Sequence, residues 1–158
     1  MSERPATERA ASGPPAVRAS VRADGAEIAR LFTALGHPAA AGDVAARWDA
    51  WAAAGGTALV ADRGDGTLAG VLTLSRMVVL HRPYTVGRLT ALVVDAPDRG
   101  RGVGRTLVAA GEAELARMGC GLLEVTSNLR RAGAHAFYER LGYERTSARF
   151  AKVPAPAG

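Results

Sequence analysis

A chain of 158 residues, 48 % of them hydrophobic, is one domain's worth of sequence and large enough to bury a real core. The net charge of +5 rests on 20 basic residues of which only Lys152 is lysine, and the arginines are scattered, which argues against a nucleic-acid surface. A single cysteine, Cys120, excludes an internal disulfide or a cysteine-based metal cluster, and no run is apolar enough to span a membrane, so a reducing cytoplasm is the expected compartment.

Residues 1–15 mix Ser, Pro, Ala, Gly and charges of both signs without an apolar stretch, which predicts a disordered tail and not a secretory signal. Residues 17–21 alternate as a short strand. Asp24 is placed to cap the following helix, whose face carries Ile28, Leu31, Phe32 and Leu35. A second helix is expected over 43–54, with Val44, Trp48 and Trp51 on one side. Residues 57–62 form a strand, 63–66 a hairpin turn of the Asp-Gly kind, and 68–79 a returning strand long enough to need a bend or bulge. After a loop at His81 comes the apolar strand 89–94, stopped by Pro97 and a turn at Asp98. A helix follows that buries Leu107, Gly111, Leu115 and Met118, then a strand over 122–126. Residues 131–141 form a helix with Ala134, Phe137, Tyr138 and Leu141 along one side, Gly142 is its C-cap, and 143–152 a final strand before a short tail at 154–158. The order is β-α-α-β-β-β-α-β-α-β, a mixed α/β fold with helices on both faces of the sheet.

The most informative stretch joins the strand 89–94 to the helix after it. Arg99, Gly100, Arg101, Gly102, Val103, Gly104 and Arg105 make a glycine-rich loop opening a helix, where bare N–H groups and the positive end of the dipole favour a phosphate or pyrophosphate. The spacing fits neither a Walker A loop nor a Gly-x-Gly-x-x-Gly dinucleotide turn. It reads as Arg-x-x-Gly-x-Gly on Arg99, Gly102 and Gly104, which resembles the coenzyme A pyrophosphate loop of the GNAT superfamily of N-acetyltransferases. The helix end over 113–119 and the run Ala134-His-Ala-Phe-Tyr-Glu-Arg-Leu-Gly-Tyr143 resemble two further family segments, in the family's order. Thr126-Ser-Asn-Leu-Arg-Arg131 and residues 147–152 resemble the aminoalkylphosphonate N-acetyltransferase branch.

The resemblance covers about residues 16–153. It implies the GNAT acyl-CoA N-acyltransferase fold, a mixed sheet of six or seven strands flanked by four helices. It also implies an enzyme that moves acetyl from acetyl-CoA directly to a primary amine of a small molecule or peptide. Leu92, Val93 and Val94 would splay from the neighbouring strand and pair with pantetheine as an added strand does. Residues 100–105 would bind the pyrophosphate, with charge from Arg99 and Arg101. Tyr138 falls on the family's general-acid position, a phenol to protonate the leaving sulfur. Glu124 resembles a carboxylate that some relatives use as base. The central-strand positions where many relatives place a glutamate hold Arg88, Thr90 and Ala91 instead. His135, one turn before Tyr138, is an alternative base or a contact to coenzyme A. Arg131 stands where many relatives carry an asparagine, and Asn128 lies three residues earlier; Arg131 would meet a cofactor phosphate, and Asn128 either turns the loop or approaches pantetheine. The acceptor pocket is expected between the first two helices, the loop over 81–85 and the last strand. No metal set is evident, a homodimer stays open, and the competing function is a non-catalytic acyl-CoA-binding or sensing module.

Overall fold

The computed structural model describes residues 13–156; residues 1–12, which hold most of the expected tail, and 157–158 lie outside the described residues. Five strands form one sheet in sequence order: β1 (Ala16–Ala19), β2 (Thr57–Asp62), β3 (Leu68–Met77), β4 (Thr85–Val94) and β5 (Cys120–Val125). The first four are antiparallel neighbours and β5 runs parallel to β4. The helices are α1 (Gly25–Ala34), α2 (Ala41–Ala53), α3 (Val103–Arg117) and α4 (Ala132–Arg140).

Strands β2 and β3 are buried on both faces, which is why both read as near-continuous apolar runs. One face sends Leu59, Ala61, Leu72 and Leu74 onto α3, where Leu107 and Leu115 are fully buried. The other sends Ala58, Val60 and Val71 onto Ile28 and Leu31 of α1, with Trp48 and Trp51 of α2 at the margin. Gly111 lets α3 lie close on β3, since a Cβ there would stand 2.5 Å from Leu72 Cδ2. Between Thr57 and Asp62 the predicted strand and the observed one coincide.

The expected bend in β3 is a bulge shared with β4. Thr73 pairs with Ala91 and Leu74 with Leu89, so Thr90 is the extra residue. Asp24 stands at the N-cap of α1, as expected, but its side chain makes no capping bond to that helix. A single 3-10 turn at Arg22–Asp24 precedes the helix, and the Asp24 carboxylate turns back to accept from the Val21 N–H at 2.8 Å and from Arg18.

Two expectations are corrected. The sheet has five strands among the described residues, not six or seven, and the predicted final strand over 143–152 does not form. Tyr143 is fixed by its hydroxyl to Glu112 of α3 and Arg145 by Glu139 of α4. After Arg145 no strand pairing forms among the described residues.

Candidate active site

The site begins at the fork between β4 and β5. These strands pair from Thr85↔Cys120 to Leu89↔Val125; beyond that point residues 91–94 pair with β3 alone. The Thr90 bulge sits at the parting point, and its hydroxyl meets that of Thr73 at 2.7 Å. Because the Asp95 N–H donates to Ala69 of β3, the alternate residues Leu92 and Val94 turn their backbone N–H and C=O to the open side. The Val94 carbonyl accepts there from Arg99 Nε at 3.1 Å. A groove of about 310 Å³ follows this edge, lined by Leu92, Val93, Val94, Arg99 and Arg131, with Ala34 and Leu35 from the end of α1. Five residues predicted from sequence thus gather on one surface.

At the far end of the groove, a salt-bridge network fixes the turn into the glycine loop. Arg63 reaches from the β2–β3 hairpin to Asp95 at 2.8 Å, to Asp98, and to the Leu68 carbonyl at 2.9 Å. Arg30 of α1 joins Asp95 at 3.1 Å to Glu27, which in turn accepts from the Leu68 N–H at 3.0 Å. Burial pushes the Asp95 carboxyl up, but the hydrogen bonds from Arg63 and Arg30 outweigh it and leave it below its ordinary value. The hydrogen bond from Arg30 likewise holds Glu27 low. The links from Arg63 and Arg30 to Asp95 and Asp98 were not legible in the sequence, because these partners are 32 to 65 residues apart and no local pattern marks them.

The loop then turns on glycines. Gly100 and Gly102 have φ of 74° and 82°, the left-handed region that a side chain disfavours. Gly102 is the N-cap of α3 and supplies no side chain to cover the first N–H groups, which belong to Val103, Gly104 and Arg105. Arg101 and Arg105 are exposed and make no hydrogen bond or ion pair among the described residues. Uncovered donors, a helix dipole and two unpaired guanidinium groups fit a diphosphate. Gly104 has a different reason: an added Cβ would touch Val94 Cγ2 at 3.4 Å and Phe137 Cζ at 3.5 Å, so α4 lies directly on the start of α3.

Helix α4 brings Tyr138. Its ring stacks edge-on against Phe137 at 5.2 Å and Tyr143 at 5.7 Å, and its hydroxyl has no hydrogen-bond partner among the described residues. Burial raises its pKa above the ordinary phenol, with Arg131 pulling weakly the other way, so the hydroxyl carries its proton at neutral pH. His135 and Asn128 form the turn before α4. The His135 Nε2 lies 2.9 Å from the Asn128 carbonyl, which also accepts from the Arg131 N–H, while Asn128 Oδ1 accepts from the Arg130 N–H. Asn128 thus turns the loop that leads into α4. Arg131 donates to the Leu35 carbonyl at 2.9 Å, across the groove from α4 to α1.

Glu124 stands on β5 directly opposite Arg88 of β4, one pair behind the fork. Both Arg88 Nε, at 2.7 Å, and Nη2 donate to the same oxygen, Oε1. The other oxygen has no partner among the described residues. Among those residues no three His, Cys, Asp or Glu side chains gather as a metal site, and no helix is long and apolar enough to cross a membrane.

A family model for the acetyltransferase (GNAT) family matches residues 26–143. An aminoalkylphosphonate N-acetyltransferase of Salmonella typhimurium is 36 % identical over 89 residues, 56 % of this chain and 58 % of that protein, so the chain spans just over half the length of this curated relative. An acetyltransferase of Trypanosoma brucei superposes with a TM-score of 0.76 at 23 % identity, over 89 % of this chain and 99 % of that one. Aminoglycoside N-acetyltransferase AAC(6')-Iy, solved with coenzyme A, does so with a TM-score of 0.76 at 21 % identity, over 92 % and 97 %. These likenesses establish the fold. With the family model spanning α1 to Tyr143, and so every element of the groove, the chain belongs to the GNAT acetyltransferase family.

Proposed function

We propose that the protein is an N-acetyltransferase that passes the acetyl group of acetyl-CoA directly to a primary amine of a small molecule or peptide. The observation that carries this reading is the parted edge of β4, which offers the backbone groups of Leu92 and Val94 along a groove that ends at the uncovered N-terminus of α3. Pantetheine is an extended chain with two amides and pairs with such an edge as a strand would. Its diphosphate then meets the N–H groups of residues 103–105 and the guanidinium groups of Arg101 and Arg105.

In the reaction the amine nitrogen attacks the thioester carbonyl, the C–N bond forms, and the C–S bond breaks. A backbone N–H near Val94 faces the developing oxyanion. Tyr138 gives its proton to the departing sulfur. Glu124, held by Arg88 through Oε1, takes the amine's proton on Oε2. Fixing both substrates against one rigid strand supplies much of the rate. Acceptor specificity belongs to the face carrying Thr73, Thr90, Arg88 and the end of α1. The likeness to the Salmonella protein makes an aminoalkylphosphonate a sensible first acceptor to try, beside simple amines, amino acids and peptides.

The test is free-thiol release from acetyl-CoA across that amine panel, for the parent protein and Tyr138→Phe. We expect turnover on at least one amine and a kcat lower by about 100-fold or more in the variant, with coenzyme A binding retained. Coenzyme A binding without turnover on any amine would establish the sensor in place of the enzyme. Failure to bind coenzyme A would sink both.

A further inference from the structure

One face of the sheet is covered by α1 at Val71 of β3, which is fully buried, and opens further along the same strand, where Thr73 and Ser75 are half-buried and Met77 is exposed. Register sets two rows of polar side chains on the open part. Ser75 of β3 pairs with Arg88 of β4, and Arg88 with Glu124 of β5, so these three stand in one row across three strands. Beside it, toward the fork, the hydroxyls of Thr73 and Thr90 meet at 2.7 Å. Arg88 spends Nε and Nη2 on Glu124 Oε1, which leaves its Nη1 without a partner among the described residues. The Ser75 hydroxyl and Glu124 Oε2 have none among those residues either. Over β3 and β4 the row therefore offers a hydroxyl and a guanidinium N–H, and over β5 a carboxylate oxygen.

We propose that this row selects the acceptor, a short amine that also carries an anionic oxygen group, carboxylate or phosphonate, roughly two or three carbon atoms from its nitrogen. The anion accepts from Arg88 Nη1 and Ser75 Oγ, and the nitrogen faces Glu124 Oε2. The spacing comes from the sheet: neighbouring strands stand about 4.8 Å apart, the span from amine to anion across such a skeleton. Charge sets the preference. An anion beside Arg88 gains charge-assisted hydrogen bonds, whereas a neutral group gains ordinary ones and a second cation is repelled. Position does the rest, because the row lies one pair behind the fork, so that an anion held there keeps the nitrogen beside the parted edge of β4. The inference rests on the proposed acetyl transfer and narrows its acceptor. Arg88 and Ser75 are its specificity-determining residues.

The test compares β-alanine and 2-aminoethylphosphonate with β-alaninamide, which keeps the β-alanine skeleton without the negative charge. At least one of the two anionic amines should exceed the amide in kcat/KM by about 10-fold or more, and the better of them identifies the anion. That ratio should fall to about 1 in Arg88→Met and be reduced several-fold in Ser75→Ala. A Glu124 displaced by the loss of Arg88 slows every acceptor and cancels in the ratio. Calorimetric titration of the same compounds into the protein with coenzyme A bound reads the preference without turnover. Anion-dependent binding with no turnover would uphold the row and overturn the transferase. Turnover that does not distinguish the anionic amines from the amide would overturn the row alone, as would a preference that survives Arg88→Met. Binding of none of the three compounds also overturns it.

Discussion

At the scale of single residues, two glycines of one motif do different work. Gly102 holds a φ of 82°, whereas Gly104 is helical and meets only ordinary contacts with Val94 and Phe137. Gly102→Ala should therefore cost about 1–2 kcal/mol in urea unfolding, the strain of a left-handed alanine. It should also weaken coenzyme A binding, because the N–H groups of α3 shift. Gly104→Ala should unfold within about 1 kcal/mol of the parent, since both neighbours are tips of side chains that can move by tenths of an ångström. Glu124→Gln keeps an oxygen for Arg88 but cannot take a proton; kcat should fall about 100-fold with the KM for acetyl-CoA unchanged. A loss in KM alone would give Glu124 a binding role. The loop arginines were legible in the sequence beside a glycine pattern, whereas Tyr138 and Glu124 were singled out by the resemblance to the family. The Arg88–Glu124 pair was not, because strand register decides which side chains face each other.

At the scale of elements, the turn between β4 and α3 is held by Arg63 and Arg30 from two other segments. Removing Arg63 leaves Asp95 and the nearly buried Asp98 without their main donor, and Arg63→Ala should lose about 2 kcal/mol in urea unfolding. The network also sets a pH dependence. Asp95 and Glu27 lie below their ordinary values in the folded protein, so the unfolded chain binds protons more readily. The stability they supply is complete above the ordinary carboxylate range and is lost as the pH falls through and below that range. A urea series across that range should show a steep acid decline in the parent and a shallower one in Arg63→Ala; parallel curves would remove the network from this role. The elements themselves were readable where burial is complete: the apolar run 57–62 and the i, i+4 pattern of α3 have one solution each. The predicted strand over 143–152 has sound local alternation, but a strand is completed by a partner that no local pattern supplies.

At the scale of the whole molecule, the sheet is a plate between two cores, with α3 on one face and α1 and α2 on the other. The site is where that plate opens, and it opens because one residue, Thr90, is extra in β4. The fork, the groove and the N-terminus of α3 are consecutive along a single chain segment. By itself the sequence determined the order of the elements as far as α4 and the glycine loop, because hydrophobic period and backbone freedom are local properties. Only the tertiary structure decided where β4 and β5 part, that Arg88 faces Glu124, that Arg30 and Arg63 fix the turn, and that no strand follows α4 among the described residues. Each of these depends on contacts between residues far apart in the chain, which packing and register bring together.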